Sequence, residues 1–394
     1  DEAAAAKIAG HELKGLSNMF NCGIVGLHYP MLALIDYLGF RLIAMTHLPL
    51  AKDSFIYGSN DGGKTIRSES TEFVEKLKEC AHMLNIKPHL AGRGDEKVMV
   101  YSPADLEGHL GTDSNFYVLD FSRVFPPEPP RKDIKGSHLF RLLRPELVLS
   151  NPVSLCSDAF SGFVMDPVEA TKHNKEITDA STRLFREIIP TVGQQLNQLS
   201  KNALRRFIGP NHLLIEIIHA NGINVRFIGV LRKYLNNETL RAQVMVEILA
   251  RTLKTLVSKQ SSLFAIAHNK QMRADLRRAM KDSQLPLEHT YKRCVISLIN
   301  RAFGVRSGFF QGTWIPQAKE KFEQFLSPHE DTLDFSPKDY IREHIGLYNF
   351  FLRFLAVTGL VFNRQTLKDF QQDETLFDFV QPFDIPDLEV GLYE

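Results

Sequence analysis

Residues Gly58 to Thr65 read GSNDGGKT, a match to the phosphate-loop pattern G-x-x-x-x-G-K-[ST]. In that pattern a glycine-rich turn between a strand and a helix aims backbone N–H groups at a phosphate, while the Lys and the Ser/Thr reach the outer phosphates and magnesium. Gly58, Gly63, Lys64 and Thr65 are therefore candidate nucleotide-binding residues, with ATP and magnesium as the implied cofactors. Ser54–Tyr57 supplies the strand. Thr65–Glu69 still reads as extended, however, and helical spacing resumes only near Thr71, at Phe73, Leu77, Cys80, Ala81 and Leu84. A hairpin turn on Asn60-Asp61-Gly62-Gly63 explains the same glycines, because these residue types tolerate positive φ. The hairpin is the expectation that the flanking sequence favours.

A second chemical feature lies in Asp105–Arg123, DLEGHLGTDSNFYVLDFSR. Two stretches flank the turn-forming Thr112–Asn115, and a tight turn centred on Asp113-Ser114 sets Glu107 directly opposite Asp120. Like charges facing each other on a sheet are unfavourable and call for a counter-ion or a raised pKa. Paired carboxylates of this kind suit magnesium completed by substrate phosphates. Apolar residues followed by Asp-Phe at a strand end also resemble the metal-binding strand of protein-kinase-like folds. On that reading Glu107 and Asp120 are metal ligands, Asp105 and Asp120 the catalytic carboxylates, Glu12 lies on the helix beside the nucleotide, and Met45-Thr46-His47 is the hinge. No H-R-D motif and no V-A-I-K lysine accompany them. The first expectation is accordingly no catalytic residue at all, with a kinase-like phosphotransferase as the alternative and a phosphate-loop NTPase as the third.

Lys270, Arg273, Arg277 and Lys281, with Arg278 adjacent, share one helix face and form a candidate RNA-phosphate stripe. Asp275 and Asp282 dilute it, and no aromatic ladder is interleaved. His109, His138, His173 and His219 lack metal-ligand spacing or a nucleophile partner. Arg41, Arg123 and Arg141 suit ion pairs or phosphate clamps. Cys22, Cys80, Cys156 and Cys294 lie far apart without a C-x-x-C, so neither a zinc pair nor a disulfide framework is expected, as in a reducing cytosol.

These residues need elements to hold them. The 394 residues carry 44% hydrophobic and 24% charged side chains and a net charge of +1, ordinary for a globular protein and no bulk electrostatic case for nucleic acid or membrane; no DNA partner is expected. The opening Asp1–Lys7 reads as helix interior, pointing to a piece of a longer protein. No apolar run is long enough to span a bilayer. The expected fold is α+β: a mixed sheet-and-helix lobe over 1–125, with a protein-kinase-like arrangement as one option, followed by a larger mainly helical part. Pro126-Pro127-Glu128-Pro129-Pro130 marks a strap over 126–136. A helical part over 137–330 and a C-terminal helix with an acidic extended tail over 331–394 complete the division. The spacing predicts helices over 3–18, 71–84, 169–188, 193–207, 211–219, 238–257, 263–281, 287–303 and 340–355, and a hairpin from Met31–Tyr37 and Phe40–Leu48.

Several segments resemble the central domain of the clustered-mitochondria (CLU) family: Leu34–Pro49, Ile56–Ile66, Gly111–Glu128, His138–Val148, Ala220–Gly229 and Leu249–Leu253, in the expected order over about residues 5 to 310. The resemblance implies a large cytosolic protein that acts in mitochondrial distribution, near the mitochondrial surface. It also implies binding to messenger RNAs, translation machinery and protein partners, without an established enzyme activity. Family members carry a similar YGS-x-D-x-GKT segment without being phosphate-loop NTPases, which favours the hairpin. The family's tetratricopeptide array and its N-terminal small domain are not found here, and Asn151–Asn174 and the ending after Gln311 match no part of the pattern.

Overall fold

The structure, a computed structural model, describes residues 2–37, 39–92, 97–208, 213–275, 287–303, 313–322, 326–327, 330, 335–378, 382–384 and 387–389; for 2–3, 264–275, 287–290, 378 and 389 only the backbone is described. The architecture is α+β, with a sheet region followed by a mostly helical part. The chain forms two compact units, one of Asp1–Tyr37, Arg41–Ile188 and His219–Asn224, the other of Leu38–Phe40, Ile189–Ile218 and Val225–Glu394.

The first unit begins with helix α1 (Glu2–Asn21), which buries Ala9, Leu16 and Met19 along one face. Strands β1 (Leu27–His28), β2 (Leu32–Tyr37), β3 (Phe40–Met45), β4 (Phe55–Gly58) and β5 (Arg67–Ser68) lead to helix α2 (Thr71–Met83). Strands β6 (His89–Ala91), β7 (Val98–Val100), β8 (Glu107–Leu110) and β9 (Phe116–Leu119) follow. Five strands make the main sheet, in the order β1-β9-β8-β4-β5, with β1 parallel to β9 and the other pairs antiparallel. The pairs β2–β3 and β6–β7 stand as separate two-stranded sheets.

Local signals explain these elements. The Ser70 side chain accepts the Phe73 N–H at 3.2 Å and starts α2, whose Phe73, Leu77, Cys80 and Ala81 fall on one buried stripe. Phe73 packs on Tyr57 and Phe116 of the sheet, with ring centroids 5.4 and 5.5 Å apart. The proline segment lies inside this unit as an extended strap: Pro127 bridges Leu142, and Glu128 N–H donates to the Arg141 carbonyl at 2.7 Å. Helix α3 (Pro145–Leu149) follows the strap, and α4 (Pro167–Arg183) starts on an Asp166 cap before a π-turn at Leu184–Ile188.

The second unit is arranged about the 38-residue helix Glu238–Asp275, which packs against Leu287–Phe303, Ile315–Lys321, Pro337–His344 and Leu347–Thr358. The stripe Leu240, Val244, Ile248, Leu249 and Leu253 is buried, and Trp314 Nε1 donates to the Leu249 carbonyl at 2.9 Å. Buried Glu247 is neutralised by Arg353 at 2.6 Å and by Arg251. Three expected boundaries move for identifiable reasons. With no Gly or Pro between Val257 and Leu263, two expected helices are one. The Ser200 side chain starts a new helix and divides 193–207. Gly346, at φ 88°, separates Pro337–His344 from Leu347–Thr358 within the expected 340–355 helix. Of the expected acidic tail, 385–386 and 390–394 lie outside the described residues, while Leu388–Glu389 pairs with Val361–Phe362.

Candidate functional site

Gly58–Thr65 joins β4 to β5 as a hairpin loop, with Gly58 paired to Arg67 and Tyr57 to Ser68. No helix starts at Lys64-Thr65, so the helix dipole that stabilises a bound phosphate is missing there. The loop also satisfies its own donors. Lys64 N–H and Thr65 N–H both donate to Asp61 Oδ1 at 3.0 Å, and Gly63 N–H donates to Ser59 Oγ at 2.8 Å. The Asp61 carboxylate occupies the position an anion would take. The Thr65 N–H, ahead of the Ser59 hydroxyl and the Lys64 N–H, holds its pKa down at about 2.

The acidic residues gather at the other end of the neighbouring hairpin, with a register one residue from that expected. Glu107 pairs with Leu119, not with Asp120, and Leu110 pairs with Phe116. The loop between them has an odd count, with Ser114 in the left-handed region at φ 65° and its N–H donating to the Gly111 carbonyl at 2.9 Å. Asp120 follows β9 at φ 60°, an Asp/Asn-tolerant conformation that ends the strand's alternation. The Glu107 carboxylate faces the His109 ring at 3.2 Å, and His109 in turn meets Ser54 Oγ at 3.0 Å. Asp105 gives both oxygens to Arg123, at 2.7 and 2.9 Å, leaving it poorly placed to accept a substrate proton.

Helix α1 closes this corner. Glu12 Oε1 accepts the Phe121 N–H at 3.0 Å, and a side chain at Gly15 would come within 2.1 Å of the Phe121 carbonyl oxygen. Only glycine permits that approach of helix to backbone. Burial, and then Asp120 and Asp105, raise the Glu12 pKa to about 7 against the pull of the Phe121 N–H. Asp120 presents an exposed surface yet is crowded on its inner side; desolvation, then Glu107 and Asp105, lift it to about 6. Among the described residues no group of three or more His, Cys, Asp or Glu side chains is arranged to hold a metal ion.

Beneath the corner lies a charge network whose far members are not legible as a site in the sequence. Asp158 is fully buried and receives Arg123 Nη2 at 2.6 Å, His89 Nε2 at 2.9 Å and the Ala104 N–H at 2.8 Å. Burial alone would raise its pKa, but Arg123 and His89 reverse this and bring it to about 2. His89 Nδ1 faces the Lys87 carbonyl at 3.3 Å, so both ring nitrogens meet acceptors, the arrangement that suits an imidazolium. Desolvation opposes that charge, and Cys156 and Asp158 outweigh it, holding the His89 pKa well above its ordinary value.

The remaining candidates are structural or lie elsewhere. Arg41 pairs with Asp36 at 2.8 Å and Arg141 with Glu128 at 3.3 Å, so these and Arg123 are ion-pair anchors. Side chains of Lys270 and Arg273, and all of Arg277, Arg278 and Lys281, lie outside the described residues. The surface feature that stands out is the β2–β3 hairpin. Met31 is 77% exposed, Tyr37 56% and Met45 52%, with Ile35, Leu42 and Ile43 also exposed. Among the described residues no single helix is long and apolar enough to cross a membrane.

The family model described as Clustered mitochondria matches residues 1–130. That span holds the landmarks Leu34–Pro49, Ile56–Ile66 and Gly111–Glu128, whereas the other three fall beyond it. The chain is 33% identical over 156 residues, 38% of its length, to a "Clustered mitochondria protein" of Arabidopsis thaliana. It is 34% identical over 135 residues, 32% of its length, to a "Clustered mitochondria protein homolog" of Brugia malayi. It is 32% identical over 133 residues, 32% of its length, to a "Protein clueless" of Drosophila ananassae. The matched stretch spans only 11%, 9% and 9% of those proteins. No solved structure matches the chain.

The raised carboxyls give a signed pH dependence. The folded state keeps protons on Asp120 and Glu12 that an unfolded chain has already lost, so their contribution to stability falls as pH rises from about 4 to about 7. Asp120→Asn suits the left-handed backbone and removes one of these groups. Its thermal midpoint is expected to exceed that of the wild type at pH 7.5 and to converge with it near pH 4, measured by circular dichroism. A constant offset across that range would remove the acidic corner as the cause.

Proposed function

We propose that this chain, whose residues 1–130 match the Clustered mitochondria family model, is a non-enzymatic interaction module serving mitochondrial distribution in the cytoplasm, near the mitochondrial surface. The observation that carries the reading is the apolar β2–β3 hairpin exposed within the matched segment. An isolated two-stranded ribbon is marginal in water, and its open edge offers unpaired N–H and C=O groups to a further strand. Exposed apolar residues gathered in one place mark interaction sites more often than chance surface. A protein partner adding a strand gains main-chain hydrogen bonds and apolar contact together.

Contact with messenger RNA or ribosomes then runs through such partners or through the basic set Lys270, Arg273, Arg277, Arg278 and Lys281. The test is an Ile35→Thr/Ile43→Thr double variant, which keeps β-branching while removing apolar surface, expressed in cells lacking the native protein. Mitochondria are expected to stay clustered while RNA cross-linking to the protein is retained. Normal mitochondrial distribution with a folded variant would sink the hairpin's role, and loss of RNA cross-links would shift RNA contact onto the hairpin itself.

A second reading is supported by the acidic corner, a kinase-like nucleotide and magnesium site using Glu107 and Asp120. What favours it is the Glu12–Phe121 contact, which sets a helix carboxylate beside the Asp-Phe strand end, as the kinase resemblance requires. Calorimetric titration of ATP with magnesium separates the two readings. The interaction reading expects no heat above dilution for wild type; saturable binding abolished by Asp120→Ala would establish the second reading instead. The phosphate-loop reading has the weaker support, because its donors are held by Asp61.

A further inference from the structure

Helix α4 carries Glu169, His173 and Glu176 on one face, one turn apart. The His173 ring is 3% exposed, and each of its nitrogens looks toward a carboxylate. Nε2 lies 3.6 Å from Glu169 Oε2, and Nδ1 lies 3.6 Å from Glu176 Oε2. Both separations are too long for a hydrogen bond. His173 Nδ1 and Glu176 Oε2 are thus buried polar atoms without a hydrogen-bonding partner, a state that most buried polar atoms avoid. Cations stand around them. Lys87 Nζ holds the other Glu176 oxygen at 2.5 Å, and Lys172 reaches Glu169 at 4.0 Å. The His89 ring of β6, paired with Asp158, meets His173 edge-on with centroids 6.3 Å apart.

We propose that His173 is a proton switch on α4, neutral while the helix is packed against Lys87 and His89 and charged once the helix opens. The surroundings keep the packed ring neutral. Burial lowers its pKa below the ordinary value, and His89 and Lys87 add to that, against the pull of Glu176. Opening returns the ring to water and to an ordinary pKa of about 6.5. The open state therefore binds the proton more readily, and the stability of the packed helix falls as pH drops below about 6.5. With one proton linked, the opening constant rises by at most about tenfold per pH unit. Opening also uncovers Ile177 and Ala180, which α4 buries next to His173, so an apolar helix face is presented in acid. Glu12 and Asp120 act with the opposite sign on the fold as a whole, so the switch has to be read locally.

The test is amide hydrogen exchange of the α4 peptides in the full chain at pH 7.5 and 5.5, corrected for intrinsic exchange, beside an NMR titration of His173 Cε1–H. The His173 midpoint is expected below 6.5, and α4 is expected to lose protection severalfold at pH 5.5. In His173→Gln, which cannot take up the proton, that loss is expected to vanish. Lys87→Met keeps the ring and removes one cation, and is expected to raise the His173 midpoint. A wild-type midpoint at or above 6.5, equal α4 protection at both pH values, the same loss in His173→Gln, or an unmoved midpoint in Lys87→Met would each overturn the proposal.

Discussion

One buried carboxylate constrains most of the first unit. Asp158 has no exposed surface, and an ionised carboxylate there is tolerable only if opposite charge and hydrogen bonds surround it. Arg123 and His89 supply the charge, and the Ala104 N–H fills a further lone pair. Removing one partner of such a buried pair costs roughly 3–5 kcal/mol because the other is left unpaired. Arg123 carries the constraint outward, since the same guanidinium holds Asp105 ahead of β8 and fixes the chain just beyond Phe121. Strand β6, the segment before β8, the end of β9 and the loop around Asp158 are thus joined through three side chains.

That arrangement decides what the motif residues are free to do. Asp105 is engaged by Arg123, Glu107 by His109, and Asp61 fills the turn where a phosphate would sit. The charged groups that suggested chemistry are largely occupied in holding the domain together. Glu12 and Asp120 bind protons more tightly than ordinary carboxyls, through burial first and then through the neighbouring carboxylates. The hairpin, by contrast, leaves Met31, Ile35, Tyr37, Leu42, Ile43 and Met45 exposed, which is the physical basis for reading the domain as an interaction module.

Much of this was legible in the residues. The α2 stripe at Phe73, Leu77, Cys80 and Ala81 follows from spacing alone, and the residues Asn60–Gly63 specify a turn more directly than a phosphate site. The β8–β9 pairing was legible as well, but its register was not. A single left-handed residue, Ser114, adds one residue to the loop and shifts every partner by one place. Asp158 and His89 were invisible for a different reason. Each is an isolated residue of an ordinary type, and only the tertiary fold brings it to its partner. The long helix Glu238–Asp275 was read as two, because polar residues in the middle of a helix weaken its apolar period without stopping it.

The claim on which the rest depends is that Asp158 stays ionised between two cations. The most direct measurement is the protonation state of His89 by 15N-edited NMR of the imidazole at pH 7.5. The expected result is a ring with hydrogen on both nitrogens, unchanged as pH is taken down to 6. A neutral ring with one bare nitrogen, titrating near the ordinary histidine value of about 6.5, would contradict the account.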